Sequence, residues 1–195
     1  MTVMRPIPAA VLAAFCSLAG LSAAASDWIL ERSELTYTVT HPLHTVRGSS
    51  RQARGKGICD AAGCRFLVAA PVKSFDSGDS NRDLHMLEAT RGGKFPVVSV
   101  RGTLKRLPER ADKAFEAEVS VEFAGRTAVY PRVRFEIVET SSATARVHGV
   151  LPCGLKEYEI KPPSLLWIPI RDHIPVSVDT FWRLQETPTA AKPPN

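Results

Sequence analysis

The stretch FEAEVSVEF, residues 115–123, alternates apolar and polar side chains at every position. Its apolar members are Phe115, Ala117, Val119, Val121 and Phe123, and glutamates or serine fill the positions between them. Successive side chains of a β-strand point to opposite faces, so this period of two predicts a strand with one buried face and one solvent-facing face.

The same alternation recurs along the chain at residues 35–40, 133–137 and 176–180. Further candidate strands cover residues 45–58, 64–73, 97–107, 143–150 and 165–170. Eight or nine short strands with short connections are typical of an antiparallel sandwich or a closed barrel. The sequence therefore predicts an all-β domain.

Residues 74–96, SFDSGDSNRDLHMLEATRGGKFP, interrupt this pattern. Ser80 and Asp83 have the spacing of a capping box, and Gly92-Gly93 is a helix stop signal. Leu84 and Leu87 then share one helix face. The spacing predicts a short helix that caps one end of the β core.

The two ends of the chain carry different signals. Residues 7–21 form a short apolar run after a single Arg, and small residues follow up to Ala25, a pattern typical of a secretory signal peptide. Residues 187–195, TPTAAKPPN, are Pro-rich and polar, which predicts a disordered tail. We therefore expect one domain at 26–186, exported to the periplasm or secreted, with no transmembrane segment after cleavage.

The charge and the absence of known catalytic motifs argue against several classes of function. A net charge of +5 with dispersed Lys and Arg does not form a nucleic-acid footprint. His41 and His44 lack the spacing of a zinc site, so no metal is expected. There is no nucleophile elbow, phosphate loop or framed acid pair. We predict no cofactor and no catalysis, and an unrecognised enzyme is the weakest alternative.

Three cysteines lie beyond the predicted signal peptide. Cys59 and Cys64 flank the turn-like tetrapeptide DAAG between two candidate strands, which predicts a disulfide across a hairpin. Cys153 is then left as a free thiol. A pairing of Cys153 with Cys59 or Cys64 stays open.

Several short motifs together resemble one family. They are SELTYTVTH at residues 33–41 with VRG at 46–48, SFDSG at 74–78, NRDLHM at 81–86, KFP at 94–96, GRT at 125–127 and RDHIPV at 171–176. Their content and order, over about residues 28–183, resemble the YceI-like family. These are periplasmic, lipocalin-like proteins that bind polyisoprenoids and related amphiphiles.

The resemblance implies an eight-stranded antiparallel lipocalin-like β-barrel with one short helix. It implies a ligand-binding lumen lined by Tyr37, Val39, Phe75, Leu84, Leu87, Phe95, Val119, Val121, Phe123 and Phe135. His41, Arg82, Asp83 and His85 would hold the helix or meet a polar head group.

The implied ligand is a polyisoprenoid, a prenyl quinone or a fatty-acid-like amphiphile, carried without catalysis. The alternative is a barrel filled by its own side chains that acts through its surface, because a barrel of eight strands is just wide enough for either arrangement. The sequence leaves a monomer and a homodimer open.

Overall fold

The computed structural model describes residues 26–165 and 167–185. All of these residues fall within the predicted domain at 26–186. The predicted signal peptide, residues 1–25, and the predicted tail, residues 187–195, lie outside the described residues.

The described residues form eleven strands, one α-helix and two short 3₁₀ turns. The strands are β1 Ser26–His41, β2 His44–Ser50, β3 Arg54–Asp60, β4 Gly63–Pro71, β5 Val97–Leu104, β6 Ala114–Phe123, β7 Arg126–Thr140, β8 Thr144–Gly154, β9 Ser164–Leu165, β10 Ile168–Pro169 and β11 His173–Gln185. The helix α1 spans Ser80–Ala89, and the 3₁₀ turns are Val72–Ser74 and Lys156–Tyr158.

Eight strands close into an antiparallel barrel in the order β1, β3, β4, β5, β6, β7, β8 and β11, with β11 pairing back onto β1. Closure removes the free sheet edges that would otherwise invite pairing with another chain. The predicted fold class, an eight-stranded antiparallel barrel with one short helix, is confirmed.

The predicted strand at 45–58 is divided in two. β2 pairs with residues 35–41 of β1, and β3 pairs with residues 26–29 of the same strand. The free edge of β2 meets the helix-bearing segment instead of β4, because Ser49 and Asp76 exchange two backbone hydrogen bonds of 2.9 Å. The segment 72–96 therefore fills a place that a continuous barrel strand would take.

Alternation predicts the orientation of β6 correctly. Ala117, Val119 and Val121 are buried, and the intervening glutamates are exposed. In β7 the inward positions change from even to odd numbers, since Ala117 pairs with Val133 while Val119 pairs with Tyr130. Pro131 lies within this bulge, where the ladder does not need its missing N–H.

The helix begins differently from the prediction. The cap is the Asp79 carboxylate, which accepts hydrogen bonds of 3.0 Å from the backbone N–H groups of Asn81 and Arg82. The expected capping box of Ser80 and Asp83 is wrong, because the Asp83 carboxylate accepts from the hydroxyl and backbone N–H of Ser77. Asp83 thus ties the helix to the preceding loop.

The antiparallel order places different connections at the two ends of the barrel. One end, here named the helix end, carries the turn at 41–44, the segment 72–96 and residues 155–172. The predicted strand at 165–170 is instead the β9–β10 hairpin, which forms its own small sheet at this end.

The predicted disulfide between Cys59 and Cys64 is present. The two residues lie directly opposite each other in the β3–β4 hairpin, with Cα atoms 4.1 Å apart. Cys153 has no disulfide partner among the described residues.

Candidate ligand-binding site

The barrel encloses a cavity of about 1020 Å³. This volume lies at the upper end of the roughly 300–1,000 Å³ of small-molecule sites. Apolar side chains from the inward faces of the strands form most of its wall, among them Val68, Val100, Val147 and Val178. The side chains of this barrel therefore leave the lumen open.

Seven of the ten residues predicted to contact a ligand lie on the cavity wall. They are Tyr37, Val39, Phe75, Val119, Val121, Phe123 and Phe135. Two pairs of rings shape this wall: Tyr37 lies 5.8 Å from Phe75, and Phe115 stacks on Phe135 at 5.5 Å, both between ring centroids.

The structure places the other three, Leu84, Leu87 and Phe95, away from the cavity wall. Leu84 is exposed on the outer face of the helix. Leu87 packs against Gly92, where an added Cβ would lie only 2.8 Å from Leu87 Cδ2. Phe95 covers Gly125 at the β6–β7 turn from outside the barrel.

The helix presents a different face to the lumen from the expected one. Arg82, His85, Met86 and Ala89 line the cavity, at the spacing i, i+3, i+4 and i+7, and Glu88 beside them also reaches the wall. This spacing is itself a helix-face pattern. The sequence favoured the other face, because Leu84 and Leu87 are the apolar pair of this helix. A polar group at this end of the lumen would meet Arg82 and His85.

Ser77 holds the predicted polar residues of the helix in place. Arg82 donates from Nε to the Ser77 hydroxyl and from Nη2 to its carbonyl oxygen, both at 2.9 Å. The Asp83 carboxylate accepts from the same hydroxyl at 2.6 Å. Burial raises the pKa of Tyr37, and the nearby Asp83 carboxylate, which lies off the cavity wall, raises it further.

His41, another predicted polar residue, lies on the cavity wall and is buried. Its Nδ1 accepts the backbone N–H of Leu43 at 3.2 Å, and its Nε2 lies 3.1 Å from the carbonyl oxygen of Ile168. The neutral ring with its proton on Nε2 satisfies both contacts. Both nitrogens are occupied by backbone groups, so His41 anchors the β9–β10 hairpin.

A polar cluster that the sequence did not reveal lies beside Cys153 and Tyr158, two residues that line the cavity. Tyr130 donates its hydroxyl proton to the Glu157 carboxylate, and the hydroxyl oxygens of Tyr130 and Tyr158 lie 3.1 Å apart. Burial raises the pKa of the Cys153 thiol to about 11 and also raises the pKa of both tyrosines. The thiol is therefore a neutral group at the lumen.

A period-two signal for this position was present in the sequence. Val147, Gly149, Leu151 and Cys153 share the inward face of β8, which extends beyond the predicted end at residue 150. The strand was predicted too short because Pro152 interrupts the usual residue preferences of a strand.

Two buried tryptophans, Trp28 and Trp182, line the lumen near the end opposite the helix end. The Trp182 ring meets Phe66 edge-on at 5.0 Å between centroids. The β1 pairing shifts register between Leu30 and Arg32, so the inward positions change from even to odd numbers. A period of two continued back from Tyr37 across this bulge would place Trp28 on the outer face, so alternation alone does not predict its inward position.

Two absences hold for the part of the chain that the structure describes. No group of three or more His, Cys, Asp or Glu side chains there could hold a metal ion. Within the same residues, no helix has both the length and the apolar character needed to cross a membrane.

No protein-family model matches the chain, and no curated protein matches it in sequence. Solved structures do match. A polyisoprenoid-binding domain from Saccharophagus degradans, implicated in plant cell wall breakdown, is 14% identical with a TM-score of 0.67, and the match covers 81% of this chain and 98% of that one.

Two other matches are similar. BcnA from Burkholderia cenocepacia is 13% identical with a TM-score of 0.63, over 76% of this chain and 95% of that one. A YceI protein from Campylobacter jejuni is 12% identical with a TM-score of 0.57, over 76% of this chain and 90% of that one. The resemblance predicted from the motifs is confirmed in the fold: this chain has the YceI-like barrel fold.

Proposed function

We propose that this protein is an exported, non-catalytic carrier that holds a polyisoprenoid or another long-chain amphiphile in the barrel lumen. The observation that carries the proposal is the apolar cavity of about 1020 Å³. The domain from Saccharophagus degradans with the same fold is named for polyisoprenoid binding, which supports the ligand class. A prenyl quinone or a fatty-acid-like amphiphile likewise combines a long apolar chain with a polar head, so both belong to the proposed ligand class.

The distribution of polar groups suggests how such a ligand lies. Val119, Val121 and Phe135 offer apolar contacts in the body of the lumen, and Arg82 and His85 line its helix end. Glu109, Arg110 and Ser141 line the opposite end of the cavity, and we place the chain of the amphiphile inside the barrel with its polar head at the helix end, beside Arg82 and His85. Burying the head among the valines instead would leave it without hydrogen-bond partners.

Chain length provides the test. Burial of each CH₂ group supplies ~0.8 kcal/mol, so affinity should rise with chain length and level off once the lumen is full. The measurement is a titration of fluorescent prenyl compounds of increasing length into delipidated protein. A flat response in the wild type would reject the carrier and favour a barrel that acts through its surface.

Val121→Trp tests whether the lumen is the site. Val121 is buried on the cavity wall, and a Trp there should weaken long chains by tenfold or more relative to short ones, about 1.4 kcal/mol. Val129→Trp is the matched control, because Val129 is exposed on the neighbouring strand β7. Thermal melts of both variants separate lost binding from the ~1–3 kcal/mol cost of overpacking.

Export has its own test. We expect the exported protein to begin near Ser26, after cleavage at Ala25. N-terminal sequencing that found Met1, or a lipid-modified Cys16, would contradict this part of the proposal. Native mass spectrometry of the protein from its own cells should then show one co-purifying amphiphile.

A further inference from the structure

Three large apolar side chains are exposed together at the helix end. Leu43 is 62% exposed, Trp167 is 96% exposed and Ile168 is 40% exposed. Leu43 lies in the β1–β2 turn, and the other two lie in the β9–β10 hairpin. We name these three residues the apical patch.

Two hydrogen bonds join the segments that carry the apical patch. The Nε2 of His41 contacts the carbonyl oxygen of Ile168 at 3.1 Å, and the backbone N–H of Arg171 donates to the carbonyl of Thr40 at 3.0 Å. The three apolar side chains therefore belong to one connected surface.

The backbone at Trp167 indicates that its side chain does not serve the turn. Its φ of 68° lies in the left-handed region, which glycine enters freely and bulky residues enter at a cost. The side chain is also almost wholly exposed, so it contributes little to the core. The stability of the hairpin therefore does not explain why a Trp occupies position 167.

The two segments that carry the apical patch contain basic residues and no acidic ones, and the acids Glu159 and Asp172 lie directly beside the second segment. Residues 40–47 and 160–171 contain Arg47, Lys161 and Arg171 but no Asp or Glu. All three cations are exposed. Exposed cations beside an exposed Trp complement the interface of an anionic bilayer, where aromatic rings sit at head-group level and Lys or Arg meet acidic lipids.

The same two segments border the lumen. His44, Lys161 and Ile170 line the cavity, and they are near neighbours in sequence of the apical patch residues. A surface that contacts the apical patch would therefore lie beside the helix end of the cavity.

We propose that the apical patch docks this protein onto an anionic lipid bilayer, with the Trp167 ring at the lipid interface and Lys161 and Arg171 on acidic head groups. This goes beyond the carrier proposal, because docking requires no ligand in the lumen.

Vesicle binding tests the docking. The probes are phosphatidylcholine vesicles with and without phosphatidylglycerol, followed by co-sedimentation and tryptophan emission. Trp28 and Trp182 are buried, so a change in emission reports Trp167. We expect binding and a blue shift only with phosphatidylglycerol, and weaker binding as salt is raised.

Trp167→Gly is the main variant, since glycine suits the positive φ and the fold should survive. Vesicle binding should fall about tenfold, as expected for losing one large apolar side chain from the interface. Lys161→Glu/Arg171→Glu should remove the preference for phosphatidylglycerol. Leu67→Ser, at a 47% exposed residue of β4, is the control and should bind like the wild type.

Two outcomes overturn the docking: no vesicle binding by the wild type, or equal binding by Trp167→Gly. A concentration-dependent dimer that Trp167→Gly disrupts, without vesicle binding, would also overturn it and assign the apical patch to a second copy of this chain. Prenyl binding in solution should be unchanged in Trp167→Gly, so the docking and the carrier role fail independently.

Discussion

The imidazole Nε2 of His41 lies 3.1 Å from the carbonyl oxygen of Ile168. The last residue of β1 thus holds the β9–β10 hairpin against the helix end of the barrel. The other ring nitrogen accepts the backbone N–H of Leu43, so one side chain joins both segments of the apical patch.

His41→Phe should loosen the hairpin, because the ring keeps its volume but loses both hydrogen bonds. Each lost bond is worth about 0.5–1.5 kcal/mol, and hydrogen exchange at residues 164–170 should become faster. His44→Phe is the control, since His44 is exposed and its ring lies 5.4 Å from that of His41. Equal exchange in the two variants would contradict this role.

Two buried serines should respond in opposite directions to alanine. Ser33 Oγ is buried with no hydrogen-bond partner among the described residues, so Ser33→Ala should leave stability unchanged or raise it by up to about 1 kcal/mol. Ser50 Oγ contacts Ser74 Oγ at 2.6 Å and accepts the backbone N–H of Gln52, so Ser50→Ala should cost about 1 kcal/mol. Urea denaturation measures the free energy of unfolding of both variants. Equal losses of stability would contradict the unpaired Ser33 hydroxyl.

The Cys153 thiol should react slowly with N-ethylmaleimide at neutral pH. Its pKa is raised to about 11 by burial, and only the thiolate reacts, so the rate should keep rising about tenfold per pH unit beyond pH 9. In denaturant the rate should level off near the unperturbed value of about 8.5. Mass spectrometry of protein beginning at Ser26 measures both profiles, and a native plateau at pH 9 would refute the shift.

The same shift makes stability depend on pH. The native pKa of Cys153 lies above the unfolded value, so its contribution is complete below about pH 8.5 and is lost as the pH rises through about 11. Cys153→Ala should remove this part of the alkaline loss of stability. Denaturation midpoints between pH 8 and 11 should therefore fall less steeply in the variant than in the wild type.

The disulfide should contribute modestly. Cys59 and Cys64 close a loop much shorter than the 15 residues for which about 3 kcal/mol is expected, so Cys59→Ala/Cys64→Ala should fold and lose less than this. Thermal denaturation measures the loss. Non-reducing peptide mapping of the wild type provides the check: a bond from either residue to Cys153 would contradict the pairing.

Local pattern was sufficient for most of the architecture. The alternation in residues 115–123 predicted which side chains of β6 are buried, and the spacing of Cys59 and Cys64 around a tight turn predicted their bond. Both features depend on residues close in sequence. The capping box was predicted wrongly because Ser80, Asp79 and Asp83 all suit a helix start, and only the fold brings Ser77 to Asp83.

The sequence by itself determined the all-β class, because a period of two separates core from solvent without any distant contact, and the eight-stranded barrel was implied by the resemblance of its motifs. In β1, β7 and α1, only the tertiary structure decided which residues face the lumen. Bulges in β1 and β7 change the inward parity, and the docking of α1 turns Arg82 and His85 inward while Leu84 faces solvent. Tyr130 and Cys153 come together only because β7 pairs with β8. Glu157, which accepts the hydrogen bond from Tyr130, reaches them from the segment after β8. Such choices depend on partners distant in the chain, so no local pattern encodes them.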